Sequence, residues 1–194
     1  MKPYHYYQTV SSFLSPDLFL NTGYCIRYFV MIYCICSQPD LRGMPMKFSN
    51  VYFVNGTAYA GKSTLVKLLA ERNNGIACEE NYHDALLNEL DAVEFPNLCY
   101  TRDLADWHDF VRRTPEEYEA WIDGVTRECE ALELRILDSL ASSDRPIFVD
   151  TNIRPETLRN ITATDHVLIM LADPEISVKR FSTVLTKKSS FFTA

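Results

Sequence analysis

Residues Asn55 to Thr64 read NGTAYAGKST, which fits the pattern G-x-x-x-x-G-K-[S/T] with Gly56, Gly61, Lys62 and Ser63 in the required places. A pattern this short also arises by chance, so its surroundings decide what it means. Ahead of it, VYFVN (Val51 to Asn55) is an apolar, β-branched and aromatic run with the length of a buried parallel strand. Behind it, STLVKLLAERN sets Leu65, Leu68 and Leu69 at helical spacing, with Lys67, Glu71 and Arg72 on the other face. Strand, glycine-rich loop and helix, in that order, is the setting in which the pattern has a physical role.

In such a loop successive backbone N–H groups turn inward as an anion nest, and the N-terminus of the next helix adds partial positive charge. The candidate phosphate-binding segment is therefore Gly56, Thr57, Ala58, Tyr59, Ala60, Gly61, Lys62, Ser63 and Thr64. At this spacing Lys62 is expected to reach the β and γ phosphates of a nucleotide, and the Ser63 hydroxyl to sit on Mg²⁺.

A chain of 194 residues with 47% hydrophobic and 23% charged residues is an ordinary globular composition. The net charge of −7 argues against a nucleic-acid polymer as partner, since a phosphate backbone needs a basic face. One small phosphorylated ligand in a local nest remains compatible with that charge. Cys25, Cys34, Cys36, Cys78, Cys99 and Cys129 are scattered, with no C-x-x-C pair and no His at zinc spacing. Reduced thiols in a cytoplasmic protein are the expectation.

The two ends read differently from the centre. In residues 1–45, Lys2, Arg27 and Arg42 stand against only Asp17 and Asp40, so the acidity lies from Met46 onward. The apolar run Tyr24 to Cys36 contains Arg27 and falls short of the roughly 20 apolar residues that span a bilayer, so no membrane insertion is expected. No A-x-A site follows it, as a signal peptide would require. Met46 immediately precedes the first strand and is read as the natural start, with 1–45 a leader of doubtful native status. Residues 46–181 form the main domain. The tail 182–194 loses periodicity and is read as irregular; codon degeneracy permits a second frame after Phe181 that continues as a charged segment, so a frameshifted tail is a further expectation.

Between these ends, Asn74-Gly75 closes the first helix and Ile76 to Cys78 make a short second strand. Glu79 and Glu80 then fall at the carboxyl end of that strand, the edge where ligands bind in open α/β sheets. Glu80 is a candidate general base, with Glu79 nearly equivalent; a solvated loop is the competing reading. His83 reads as a helix-start residue. Tyr100 to Arg113 reads as a helical lid offering Arg102, Arg112 and Arg113 to an anion. Thr114-Pro115-Glu116-Glu117 is a capping box opening a long helix toward Ser142, whose apolar stripe runs through Tyr118, Trp121, Val125, Cys129, Leu132, Ile136 and Leu140. PIFVDTN (Pro146 to Asn152) is a third strand whose Asp150 fits the position of a magnesium-side carboxylate. Arg154 and Arg159 flank a short helix, His166 to Ala172 form a fourth strand, and Asp173-Pro174-Glu175 starts a helix bearing Lys179 and Arg180.

With Gly56 to Thr64, the VDTN strand end and the LADPEISVKRF segment in view, the stretch from about 47 to 181 resembles the small P-loop kinases, a group including nucleoside monophosphate kinases, shikimate kinase and chloramphenicol phosphotransferase-like enzymes. The resemblance implies an α/β, three-layer P-loop NTPase fold with a parallel sheet of order 2-3-1-4-5, whose fifth strand is missing from this sequence. It also implies transfer of the ATP γ-phosphoryl group to a small-molecule acceptor, with ATP and Mg²⁺ as cofactors. Carried over by position, Lys62, Glu80 and Asp150 would be catalytic, Ser63 and Asp150 would hold the metal, and Lys179 or Arg180 would lie near the lid. Without a fifth strand and full lid, the alternative is a nucleotide-binding fragment or inactive P-loop protein without transferase activity. Guanine-specific N-K-x-D and transporter-type LSGGQ signatures are absent, and Thr151 stands where a remodelling ATPase favours glutamate.

Overall fold

A computed structural model of the chain describes residues 47–175, 177–179 and 181–182. The expectations for the leader 1–45, for the tail beyond 182 and for a missing fifth strand fall outside the described residues. The elements are β1 (Val51–Gly56), α1 (Lys62–Arg72), β2 (Ile76–Cys78), a 3₁₀ helix (Tyr82–Glu89), α2 (Pro96–Arg102), α3 (Trp107–Val111), α4 (Pro115–Leu140), β3 (Ile147–Asp150), α5 (Pro155–Ile161), a 3₁₀ turn (Thr164–His166) and β4 (Val167–Met170). Within the stretch 46–181 there are two compact units, one holding the sheet and one, Asn81–Ser143, made of helices.

The sheet unit is α/β, with four strands in the order β2-β3-β1-β4. All three pairings are parallel. Parallel strands are buried on both faces, which explains why these read as continuous apolar runs rather than alternating ones. Side chains nevertheless alternate in direction. Val54 of β1 and Phe148 of β3 join Val66, Leu69 and Ala70 of α1 in one cluster with Leu168 and Met170 of β4. Val51, Phe53, Ile147 and Val149 take the alternate positions and are equally buried, as are Phe48, Ile153 and Leu158. Each large apolar side chain removed from water in this way contributes roughly 1.5–3 kcal/mol. Because β3 alternates with period two, Asp150 shares its face with Phe148, and the register sets it opposite Val54. That is the face on which α1 lies.

In the helical unit the expected capping box is present: Thr114 Oγ1 accepts from Glu117 N at 3.2 Å, and the Glu117 carboxylate accepts from Thr114 N at 2.8 Å. The buried stripe of α4 departs from the expected one. Gly124, Glu130, Leu132, Glu133 and Leu137 are buried, while Tyr118 is 46% exposed. Two glutamates are buried on this face, which an apolar-periodicity reading passes over. Leu132 packs with Phe95 and Cys99, and Leu86, Leu90 and Ile136 pack against that cluster. Trp121 Nε1 donates to Asn97 O at 3.0 Å, so this ring is scaffold, as its position in the stripe suggests. Glu128 caps α2 from outside, accepting from Asn97 N at 3.0 Å and Leu98 N at 2.8 Å. The stretch expected to be one helical lid is two short helices, α2 and α3; Asp106 starts the second by accepting from His108 N at 2.9 Å. His83 stands at the start of a helix, as expected, being the second residue of the 3₁₀ helix Tyr82–Glu89, and its side chain is buried, 5% exposed.

Two glycines of the loop test these constraints separately. Gly56 has φ +133° and a Cβ there would lie 1.8 Å from Met170 O, whereas Gly61 has φ +93° and open space around it. Gly61→Ala should lose about 1 kcal/mol from backbone strain alone. Gly56→Ala should lose about 3 kcal/mol or more, because β1 and β4 must also separate. Urea unfolding of both variants checks the difference.

Candidate functional site

The loop after β1 is fastened on both sides before any side-chain chemistry begins. On the β4 side Thr57 N donates to Met170 O at 3.0 Å, and Ala172 N donates to Thr57 Oγ1 at 2.8 Å. Ser177 Oγ donates to Ala58 O at 3.3 Å. On the β3 side Asn55 Nδ2 donates to Ile153 O at 2.6 Å, while its Oδ1 accepts from Gly56 N. Positive φ at Gly56 and Gly61, with Tyr59 also left-handed at φ 61°, curls the segment round the start of α1. Leu65 N donates to Gly61 O at 3.1 Å, which makes Gly61 the residue from which the helix springs.

Lys62 and Ser63 occupy the first turn of α1 and meet Asp150 at the end of β3. Ser63 Oγ donates to Asp150 Oδ2 at 2.6 Å. Lys62 Nζ donates to Thr57 O at 3.3 Å and stands 3.7 Å from Asp150 Oδ1. Lys62 is 6% and Asp150 2% exposed. The longer separation is a charge contact rather than a hydrogen bond, and Asp150 Oδ1 has no hydrogen-bond partner among the described residues. A buried carboxylate oxygen left in that condition is costly. A hydroxyl, a carboxylate with one oxygen open and an ammonium thus converge at a helix N-terminus. Hard oxygen donors of this kind suit Mg²⁺, and the ammonium with the loop N–H groups suits phosphate.

The remaining sequence candidates do not gather here. The Glu79 carboxylate pairs with Lys67 Nζ at 2.8 Å, with both side chains half exposed. Glu80 is exposed just beyond β2 and bonds to none of Lys62, Ser63 or Asp150. Arg154, Arg159 and Lys179 are exposed; the side chain of Arg180 lies outside the described residues. Within the helical unit the three arginines have separate fates. Arg102 is spent on structure, donating to Leu87 O and Leu90 O at 2.8 Å and forking onto Asp103. Arg112 stands 3.7 Å from Asp109. Arg113 lies over the Tyr100 ring, 3.9 Å from its centroid, beside a cavity of about 550 Å³ that Trp121, Asn97 and Glu117 also line.

Two side chains anchor the loop in a way its sequence pattern does not give: Asn55, at the end of β1, and Thr57, already within the candidate phosphate-binding segment, tie the loop to the stretches after β3 and β4 respectively. The only signal was a side chain able both to donate and to accept, placed beside a glycine.

The buried charge pair gives a stability test. Asp150→Ala leaves Lys62 buried without its carboxylate and should destabilise by about 3 kcal/mol. Combined with Lys62→Met, the loss should fall well below the sum of the single losses, as read by urea unfolding of all four proteins. Compared with known proteins, the chain matches no family model, no curated protein and no solved structure.

Proposed function

We propose that the chain is an ATP-binding P-loop kinase-like protein that transfers the γ-phosphoryl group to a small-molecule acceptor. The observation that carries this reading is the convergence of Lys62, Ser63 and Asp150 on the loop at the N-terminus of α1. The strand order β2-β3-β1-β4 supports the finer fold assignment, since it equals the first four strands of a three-layer P-loop NTPase sheet of order 2-3-1-4-5. The proposed setting is cytoplasmic, without a nucleic-acid polymer or a membrane. Among the described residues no helix is long and apolar enough to cross a membrane.

In this reading the loop N–H groups from Gly56 to Thr64 cradle the phosphates, and Lys62 turns its ammonium from Thr57 O toward the β and γ oxygens. Ser63 and Asp150 would hold Mg²⁺, and the unpartnered Asp150 Oδ1 is the oxygen that fits this role. When bound, the ion neutralises charge that develops on the phosphoryl oxygens. The balance requires it: Lys62 and Asp150 cancel, so a polyphosphate would otherwise meet only the helix N-terminus and the amides. Glu80 is the proposed base on the acceptor side. One observation favours the second reading, nucleotide binding without transfer: Glu79 is engaged by Lys67, and Glu80 has no bond to the loop group.

Calorimetric titration with Mg²⁺ and ATP tests the first step. Lys62→Ala should weaken binding by about 100-fold, the loss of a desolvated charge-assisted contact. Affinity equal to that of the parent chain would remove the loop from nucleotide binding. Asp150→Asn should keep the fold and raise the Mg²⁺ concentration needed for half-maximal ATP binding by about 10-fold; an unchanged metal titration would overturn its role. Product analysis over a panel of hydroxylated acceptors then separates transfer from binding alone.

A further inference from the structure

The helical unit holds a cluster of three that the nucleotide reading does not use. Cys129 and Glu133 are separated by four residues on α4, which sets them one turn apart on one helix face. The 3₁₀ helix inserts the ring of His83 against both. His83 Nδ1 lies 3.1 Å from Glu133 Oε1, and His83 Nε2 lies 3.5 Å from Cys129 Sγ. His83 and Glu133 are 5% and 4% exposed, so the pair is held rigidly out of water, whereas Cys129 is partly exposed. A thiol, a base and a carboxylate that orients the base form the arrangement that activates a nucleophile.

We propose that Cys129 is a nucleophilic thiol, paired with the His83 ring that Glu133 orients, and that it exchanges with small-molecule disulfides. The Cys129 sulfur gives up its proton to solvent and attacks one sulfur of the disulfide; a Cys129 mixed disulfide forms, the original S–S bond breaks, and the released thiolate takes a proton from solvent. Electrons balance without any further oxidant. Acyl transfer is disfavoured by the position in the helix. Backbone N–H groups around Cys129 are spent on i→i−4 hydrogen bonds and offer no oxyanion hole.

The electrostatics agree with the geometry. The Cys129 contact first, and then the Glu133 carboxylate, raise the His83 pKa to about 10, against the lowering effect of burial. Asp84 Oδ1, 3.6 Å from His83 Nε2, favours the imidazolium as well. Tyr82 packs its ring edgewise on His83 and donates its hydroxyl to the Glu133 carbonyl, bringing no charge to the imidazole. An imidazolium that persists through neutral pH sets positive charge against the Cys129 sulfur. The other two free cysteines among the described residues, Cys78 and Cys99, are buried, and burial pushes the Cys99 thiol up. They serve as internal references.

The test follows alkylation of the full chain by iodoacetamide at neutral pH, resolved peptide by peptide by mass spectrometry, with oxidised glutathione as the disulfide probe. The Cys129 peptide should be alkylated at least about 10-fold faster than those of Cys78 and Cys99, and should carry the glutathione adduct before them. His83→Gln should remove that advantage. Glu133→Gln keeps the shape of the side chain and should remove part of it, which preserves the test if the first variant fails to fold. No preference for Cys129 in the parent chain, or a preference that neither folded variant diminishes, would overturn the proposal.

Discussion

The pairing of β1 with β3 is the constraint on which the carboxyl edge of the sheet depends. Val54 lies opposite Asp150, and period-two alternation then turns Asp150 toward α1. A slip of one residue would reverse every side chain on β3, carrying Asp150 away from Ser63 and Phe148 out of the cluster with Val66 and Leu69. Apolar packing and polar geometry are therefore set by one register. The same strand that closes the core also presents the carboxylate, and the 2.6 Å contact with Ser63 follows from where the core needs Phe148.

Charge is organised locally rather than globally. The chain as a whole carries −7, yet the start of α1 gathers a buried ammonium, a helix N-terminus and a loop of turned amides. Such a field extends only about a Debye length into salt solution. It would act on an anion that enters the loop, not on one that drifts past the surface. Among the described residues most of the remaining acidic side chains, Glu130 and Glu133 aside, lie on exposed positions, where their repulsion is screened.

The four strands, the α1 helix and the junction of Lys62, Ser63 and Asp150 were legible in the sequence because each rests on local pattern: an apolar run, a glycine spacing, an aspartate at a strand end; the order of the strands rested on the resemblance to small P-loop kinases instead. What was not legible depended on contacts between distant residues. Glu128 capping α2, Asn55 reaching the Ile153 carbonyl and His83 lodging between Cys129 and Glu133 leave no periodic trace, since each joins residues far apart in the sequence. Glu133 was passed over for a related reason: a buried glutamate interrupts an apolar stripe and reads as its solvent side. Within the helical lid region expected over Tyr100 to Arg113 the break between α2 and α3 is marked by one side-chain cap, Asp106.

The helical unit Asn81–Ser143 is inserted between β2 and β3, strands that are neighbours in the sheet. Joining them directly would mean closing a long flexible loop, with an entropy loss that grows with its length. The contacts that fasten α2 to α4 lie within the insert and close shorter loops, whereas the pairing of Cys78 with Val149 closes the whole of it, the costlier closure by the same rule.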